Sequence, residues 1–64
     1  MKITEARKLR RGEKVKQKMH GYVLTVEKIE ESFSIIGSKN YVIITCITDN
    51  GDIMKHNHKE LLKI

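Results

Sequence analysis

The sequence predicts a mainly β domain, a small antiparallel barrel preceded by a short N-terminal helix. Three observations lead there. Two runs rich in β-branched residues, at positions 22–29 and 41–48, suit the pleated and half-buried surface of a sheet. Gly21, the segment 37–40 (Gly-Ser-Lys-Asn) and the segment 49–52 (Asp-Asn-Gly-Asp) punctuate those runs at the spacing of short strands. Finally, 64 residues are too few to cover sheet edges with further layers, and curling the sheet on itself hides them.

Each element has a local reason. Thr4 reads as the N-cap of a short helix, with Glu5 near its positive end, Arg10 and Arg11 near its negative end and Gly12 as the stop. Ala6 and Leu9 are its inward-facing candidates. Two turns of helix are unstable alone in water, so this one must dock on the rest. Residues 12–21 follow as a first strand, broken by Gly21, and residues 22–29 as a second. The segment 30–40 is polar around Phe33, Ile35 and Ile36 and reads as a connection ending in a turn. Residues 41–48 are the most apolar stretch, hence the central strand. Asn50-Gly51 predicts a type I′ hairpin turn into a return strand over residues 53–57. Asn57 with Glu60 three residues on forms a capping box for one helical turn. Leu61, Leu62 and Ile64 then supply a brief last strand. This succession of short strands, tight hairpin and single helical turn is that of an SH3-like barrel. The whole is one domain, residues 1–64, with the basic helix at 1–11 and the barrel at 12–64.

A domain of this size buries only about 60% of its unfolded surface, and such chains lean on disulfides, metals or partners. Cys46 is the only cysteine, so no disulfide staples the fold. Its place in an apolar strand predicts a buried, inert thiol of the kind kept in a reducing cytosol. No apolar run has the length of a membrane span, and no signal-peptide pattern precedes the basic start. A soluble, cytoplasmic protein without membrane contact is expected. The net charge of +5 is uneven, at +6 over residues 1–20, −3 over 21–54 and +2 over 55–64. That polarity steers anions to one side of the molecule. In a symmetric oligomer the acidic side could also meet the basic row of a neighbour, and together with the small core this predicts a homo-oligomer.

The chemistry concentrates in residues 12–21, where Lys14, Lys16, Lys18 and His20 alternate with Val15, Gln17 and Met19. Strand side chains alternate between faces, so one face carries a row of cations. With Arg7, Arg10 and Arg11 of the helix, the row forms a candidate cradle for phosphates, since Arg forks pair with phosphate and Lys acts as a point charge. Tyr22 is the aromatic neighbour of the row, and His56 and His58 are further candidate donors. Few aromatics are present, only Tyr22, Phe33 and Tyr41, which disfavours sequence-specific reading of single strands and recognition of proline-rich peptides. His56 and His58, flanked by Lys55 and Lys59 and lacking a cysteine pair, do not make a zinc site. No cofactor or metal is expected. No nucleophile motif or carboxylate in an apolar setting points to catalysis.

The series Leu9-x-x-Gly12-Glu13-x-Val15, then Leu24-Thr25-Val26-Glu27, Thr45-Cys46-Ile47, Asp52 and Glu60-Leu61-Leu62 resembles the small SH3-like proteins of the YodC-like group. The Gly-acidic-x-Val opening is similar to that of KOW-type barrels associated with ribosomes and transcription. The chain departs from the group in its reduced glycine bend (His20-Gly21-Tyr22), in lacking a tryptophan after the cysteine, and in the added segment 32–40. The resemblance implies a fold and no established activity. Proteins of this build occur among phage and mobile-element reading frames.

The expected function is non-enzymatic binding of a phosphate-bearing partner, nucleic acid first. Two alternatives stand beside it. One is a small phage-type homo-oligomer that sequesters a nucleotide signal or short oligonucleotide. The other is an interaction or inhibitor module that docks on an acidic host protein.

Overall fold

The computed structural model describes residues 1–34, 36–37 and 39–64. Five strands form a single antiparallel sheet: β1 (Lys14–Gln17), β2 (Val23–Ser34), β3 (Lys39–Ile47), β4 (Ile53–Asn57) and β5 (Leu61–Lys63). The spatial order is β4-β3-β2-β1-β5, so the middle strand is β2 and not the more apolar β3. A helix, α1 (Ile3–Ala6), precedes the sheet, and a 3-10 turn (His58–Glu60) joins β4 to β5.

The fold is mainly β, as expected, but the sheet is not closed into a barrel. β4 and β5 remain its two edges. It is nevertheless strongly coiled, for a geometric reason. Five flat strands at ~4.8 Å spacing would hold their outer members about 19 Å apart. Asn57 ends β4 and Leu61 begins β5, and four residue steps span at most about 14 Å. The two edges must therefore turn toward each other, leaving a seam. A bulge between Val26 and Lys28 in the β2–β3 ladder bends the sheet in the same region.

The core fills the concave face. Val15, Leu24, Val26, Val42, Ile44, Cys46 and Leu61 are buried there with Ala6 and Leu9 from the N-terminal segment. The register explains the membership. Val15 faces Leu24, Val26 faces Cys46 and Gln17 faces Leu61, and directly opposed residues share one side of a sheet.

Several elements differ from expectation. The helix is one turn, with Lys2 at the N-cap and Glu5 accepting from the Lys2 amide at 3.1 Å. Thr4 lies inside it. Arg10 and Arg11 fall outside it, in the stretch that follows the burial of Leu9 in the core. The segment 30–40 is not a connection. Residues 30–34 pair with residues 39–43 and lengthen the β2–β3 hairpin, with the remaining turn at Ile36 and Gly37, where φ is +103°. Phe33 is exposed in that ribbon. Ile35 and Ser38 lie outside the described residues. The β3–β4 hairpin is not a type I′ turn. The Gly51 amide donates to the Thr48 carbonyl at 2.9 Å and the Thr48 amide to the Asp52 carbonyl at 2.9 Å. That makes a three-residue loop closed by Gly51 at φ +88°, the alternative arrangement with a left-handed residue after a type I turn.

The capping box forms as read from the sequence. Asn57 Oδ1 accepts from the Lys59 amide at 3.0 Å, and Glu60 Oε1 accepts from the Asn57 amide at 3.1 Å. Because this turn carries the chain from one sheet edge to the other, Asn57→Ala should cost about 1 kcal/mol, read as a lower urea midpoint with an unchanged slope.

Candidate phosphate-binding seam

The site begins with the alternation in β1. Lys14 and Lys16 point outward, and Val15 and Gln17 are buried. The strand then stops. The Gln17 amide donates to the Tyr22 carbonyl at 2.9 Å and the Gly21 amide to the Gln17 carbonyl at 2.9 Å, so residues 18–21 form a four-residue loop. Gly21 permits it with φ +72°, a conformation that suits glycine. Lys18 and His20 therefore leave the expected row, and Met19 stands 87% exposed in the loop rather than facing inward.

The loop still gathers most of the row. A Cβ added at Gly21 would meet Lys16 Cε at 3.5 Å, so the Lys16 stem crosses the loop backbone. His20 and Tyr22 bring their ring centroids to 5.9 Å at 33°. The Lys18 amide donates to the Glu60 carbonyl at 3.0 Å, which ties the loop to the 3-10 turn. Lys18 also lies near enough to His58 to disfavour its protonation. Lys16, Lys18, His20 and Tyr22 thus meet at one end of the β1–β2 hairpin. Among the described residues, the side chains of Lys16 and Lys18 have no hydrogen-bond or ion-pair partner.

The arginines are placed differently. Arg7 Nε pairs with Glu31 at 2.6 Å, and an Arg11 terminal nitrogen pairs with Glu27 at 2.7 Å. Lys14 Nζ donates to the Thr25 hydroxyl. The acidic residues of β2 thus hold Arg7 and Arg11, which do not join the lysines in one cradle. Such half-exposed pairs are worth about 0–1 kcal/mol, little enough for a phosphate to compete. Arg10 is exposed.

His56 and His58 do not share a strand face, because β4 ends at Asn57 and His58 opens the 3-10 turn. His56 is directed to the seam. Its Nε2 lies 3.0 Å from Gln17 Nε2 and its Nδ1 lies 3.3 Å from Glu60 Oε2. One tautomer satisfies both: Nδ1–H donates to Glu60 while Nε2 accepts from the Gln17 amide. The Asn57 amide and then His56 hold the Glu60 carboxyl below its ordinary range. His58 belongs to the core, 5% exposed, with Nδ1 accepting from the Val42 amide at 3.1 Å. Burial depresses its pKa, and Lys59, the α-ammonium and Lys18 act in the same direction. Among the described residues, no three His, Cys, Asp or Glu side chains come together as metal ligands. Cys46 is fully buried, and desolvation pushes its thiol up to about 11.

Two grooves run along the seam between the β1–β2 hairpin and β4. One, of about 480 Å³, lies between Tyr22, Val23 and the Asp49–Asp52 loop. The other, of about 350 Å³, lies between Lys18, Met19, His56 and Glu60. Gln17, His20 and Met54 line both. Gln17, Met54 and Glu60 are among the seam residues that were not candidates in the sequence. Gln17 carried a signal, as a polar residue at an inward position of the β1 alternation. Met54 carried none, since its place depends on how far the sheet coils, and Glu60 carried only the signal of its capping box.

Compared with known proteins, the chain matches no family model, no curated protein and no solved structure. No helix among the described residues is long and apolar enough to cross a membrane.

Proposed function

We propose that the protein is a non-enzymatic binder of a phosphate-bearing partner, nucleic acid first, acting through the end of the β1–β2 hairpin. The observation that carries this reading is the grouping of Lys16 at the end of β1 with Lys18 and His20 of the loop that follows, with Tyr22 beside them and neither lysine neutralised by a described neighbour. Cations held together without counter-charges repel one another, and an anionic ligand relieves that repulsion. Arg10 adds charge, and Arg7, Arg11 and Lys14 join only by exchanging their present partners. His56 supplies a hydrogen-bonding edge at the seam. The four-stranded meander β1–β4, with β5 returned beside β1 through a 3-10 turn, supports an SH3-like arrangement of the kind the resemblance to the YodC-like group implies. A free buried thiol fits a reducing cytosol. A homo-oligomeric sequestrant of a small nucleotide is favoured as the second reading, because both grooves have the volume of small-ligand sites and the core is small.

Salt titration of binding tests the proposal. Each Lys that neutralises a phosphate contributes about −0.9 to the slope of log K against log salt on duplex, or roughly −0.7 on single strands. Lys16→Gln with Lys18→Gln should weaken binding to all sequences alike and flatten that slope by somewhat under two units. Lys39→Gln with Lys63→Gln, away from the loop, should do much less. Equal effects would mean diffuse charge and no site. Absence of binding by the unaltered protein at low salt would favour docking on an acidic protein.

A further inference from the structure

The seam holds a buried acceptor without a partner among the described residues. Gln17 is 6% exposed, its Nε2 is engaged with His56, and no described residue donates to its Oε1. The orientation of the amide follows from His56: with its Nδ1–H given to Glu60, its Nε2 can only accept, so the Gln17 amino group faces the ring and the oxygen is the end left over. A buried unpaired acceptor is a standing cost to the fold. Such a group calls for an explanation, and a bound ligand is one.

The surroundings restrict the ligand. Gln17 lines both grooves, and so do His20 and Met54. The exposed His20 and Tyr22 rings, tilted by 33° to each other, offer aromatic surface for another ring, and the flexible thioether of Met54 adapts to whatever lies against it. Asp49 and Asp52 line the far end of the larger groove, and Lys18 lines the smaller one together with Glu60, whose carboxylate is engaged by His56. The seam is therefore acceptor-rich at one end and offers the Lys18 ammonium at the other. A matching ligand has a planar body, hydrogen-bond donors on one edge and an anion at the opposite end.

We infer that the seam is a nucleobase site that selects bases carrying an exocyclic amino group, with the amine donated to Gln17 and the phosphate directed to Lys18 and Lys16. This rests on the phosphate-binding reading above and names the part of the nucleotide that reading leaves open. In the free protein Oε1 is covered, so Met54 and the 18–21 loop yield as the base enters.

Isothermal titration with AMP, GMP, CMP and UMP tests it, since only UMP lacks an exocyclic amine. At least one amino-bearing nucleotide should bind about threefold to tenfold more tightly than UMP, the worth of one hydrogen bond. Gln17→Met, which keeps the length of the side chain and removes its acceptor, should bring that nucleotide to within about twofold of UMP while the thermal midpoint stays at or above that of the parent. Lys16→Gln with Lys18→Gln should weaken all four and leave the ratio unchanged. UMP binding as tightly as the others, or a preference that survives Gln17→Met, would overturn the nucleobase site while phosphate binding stands. Failure of all four nucleotides and of a mixed-sequence oligonucleotide to bind at low salt would overturn both.

Discussion

Ile44→Ala should remove a large part of the protein's stability, about 2–5 kcal/mol. Ile44 is completely buried in β3, with strands paired on both sides of it. Removing three carbons from a packed site costs about 2–5 kcal/mol. At ~0.05–0.15 kcal/mol per residue, a chain of this length has about 3–10 kcal/mol to lose. Ile44→Val should cost about 0.5–1.5 kcal/mol and keep the cooperative transition. Ile53→Ala, at a side chain 69% exposed on the edge strand, should stay within about 0.5 kcal/mol of the parent. Urea unfolding followed by circular dichroism reads all three. A loss below about 1 kcal/mol for Ile44→Ala, against the range expected for core truncations, would show that the concave face is not the core.

His58 should make the fold sensitive to mild acid. Its ring is buried and its Nδ1 lone pair is occupied by the Val42 amide, so a proton cannot be added there without breaking that bond. Its folded pKa lies below the ordinary value of 6.5, chiefly through desolvation. Between those two values the unfolded chain binds a proton that the folded chain does not, and lowering the pH favours unfolding. The contribution is complete above about pH 6.5 and declines as the pH falls from there to the folded pKa. Glu60 acts in a lower window. Its carboxyl is held below its ordinary 4.5, so its contribution is present above that value and is lost as pH falls through the folded pKa. The melting temperature should therefore drop in two stages on acidification. His58→Asn, which keeps a short acceptor for the Val42 amide, should remove the upper stage. His58→Ala should cost more at neutral pH, about 1–3 kcal/mol for the orphaned amide and a further amount for the cavity. A melting temperature that is flat between pH 7 and pH 5 would sink the assignment.

Much of the fold was legible in the sequence because its signals are local. β-branched runs placed β2 and β3, the Asn57/Glu60 pair placed the 3-10 turn, and the alternation from Lys14 to Gln17 set the faces of β1. The polar segment 30–40 was misread because its pairing with residues 39–43 depends on the partner strand more than on composition. The Asn50-Gly51 dipeptide located a turn but not its type, since the Thr48 carbonyl and hydroxyl, which accept from Gly51 and Asp52, favoured a three-residue loop.

The sequence by itself determined a mainly β domain, the buried thiol, the inward-facing Ala6 and Leu9 and a basic first third. Only the tertiary structure decided that Arg7 and Arg11 are taken up by β2 acids 24 and 16 residues away, that His58 is core and His56 is not, and that Gln17 meets His56 across an open seam. Those outcomes depend on how far a five-stranded sheet coils before its last turn joins the edges. Coiling is a property of all the strands together, so no local stretch of residues encodes it.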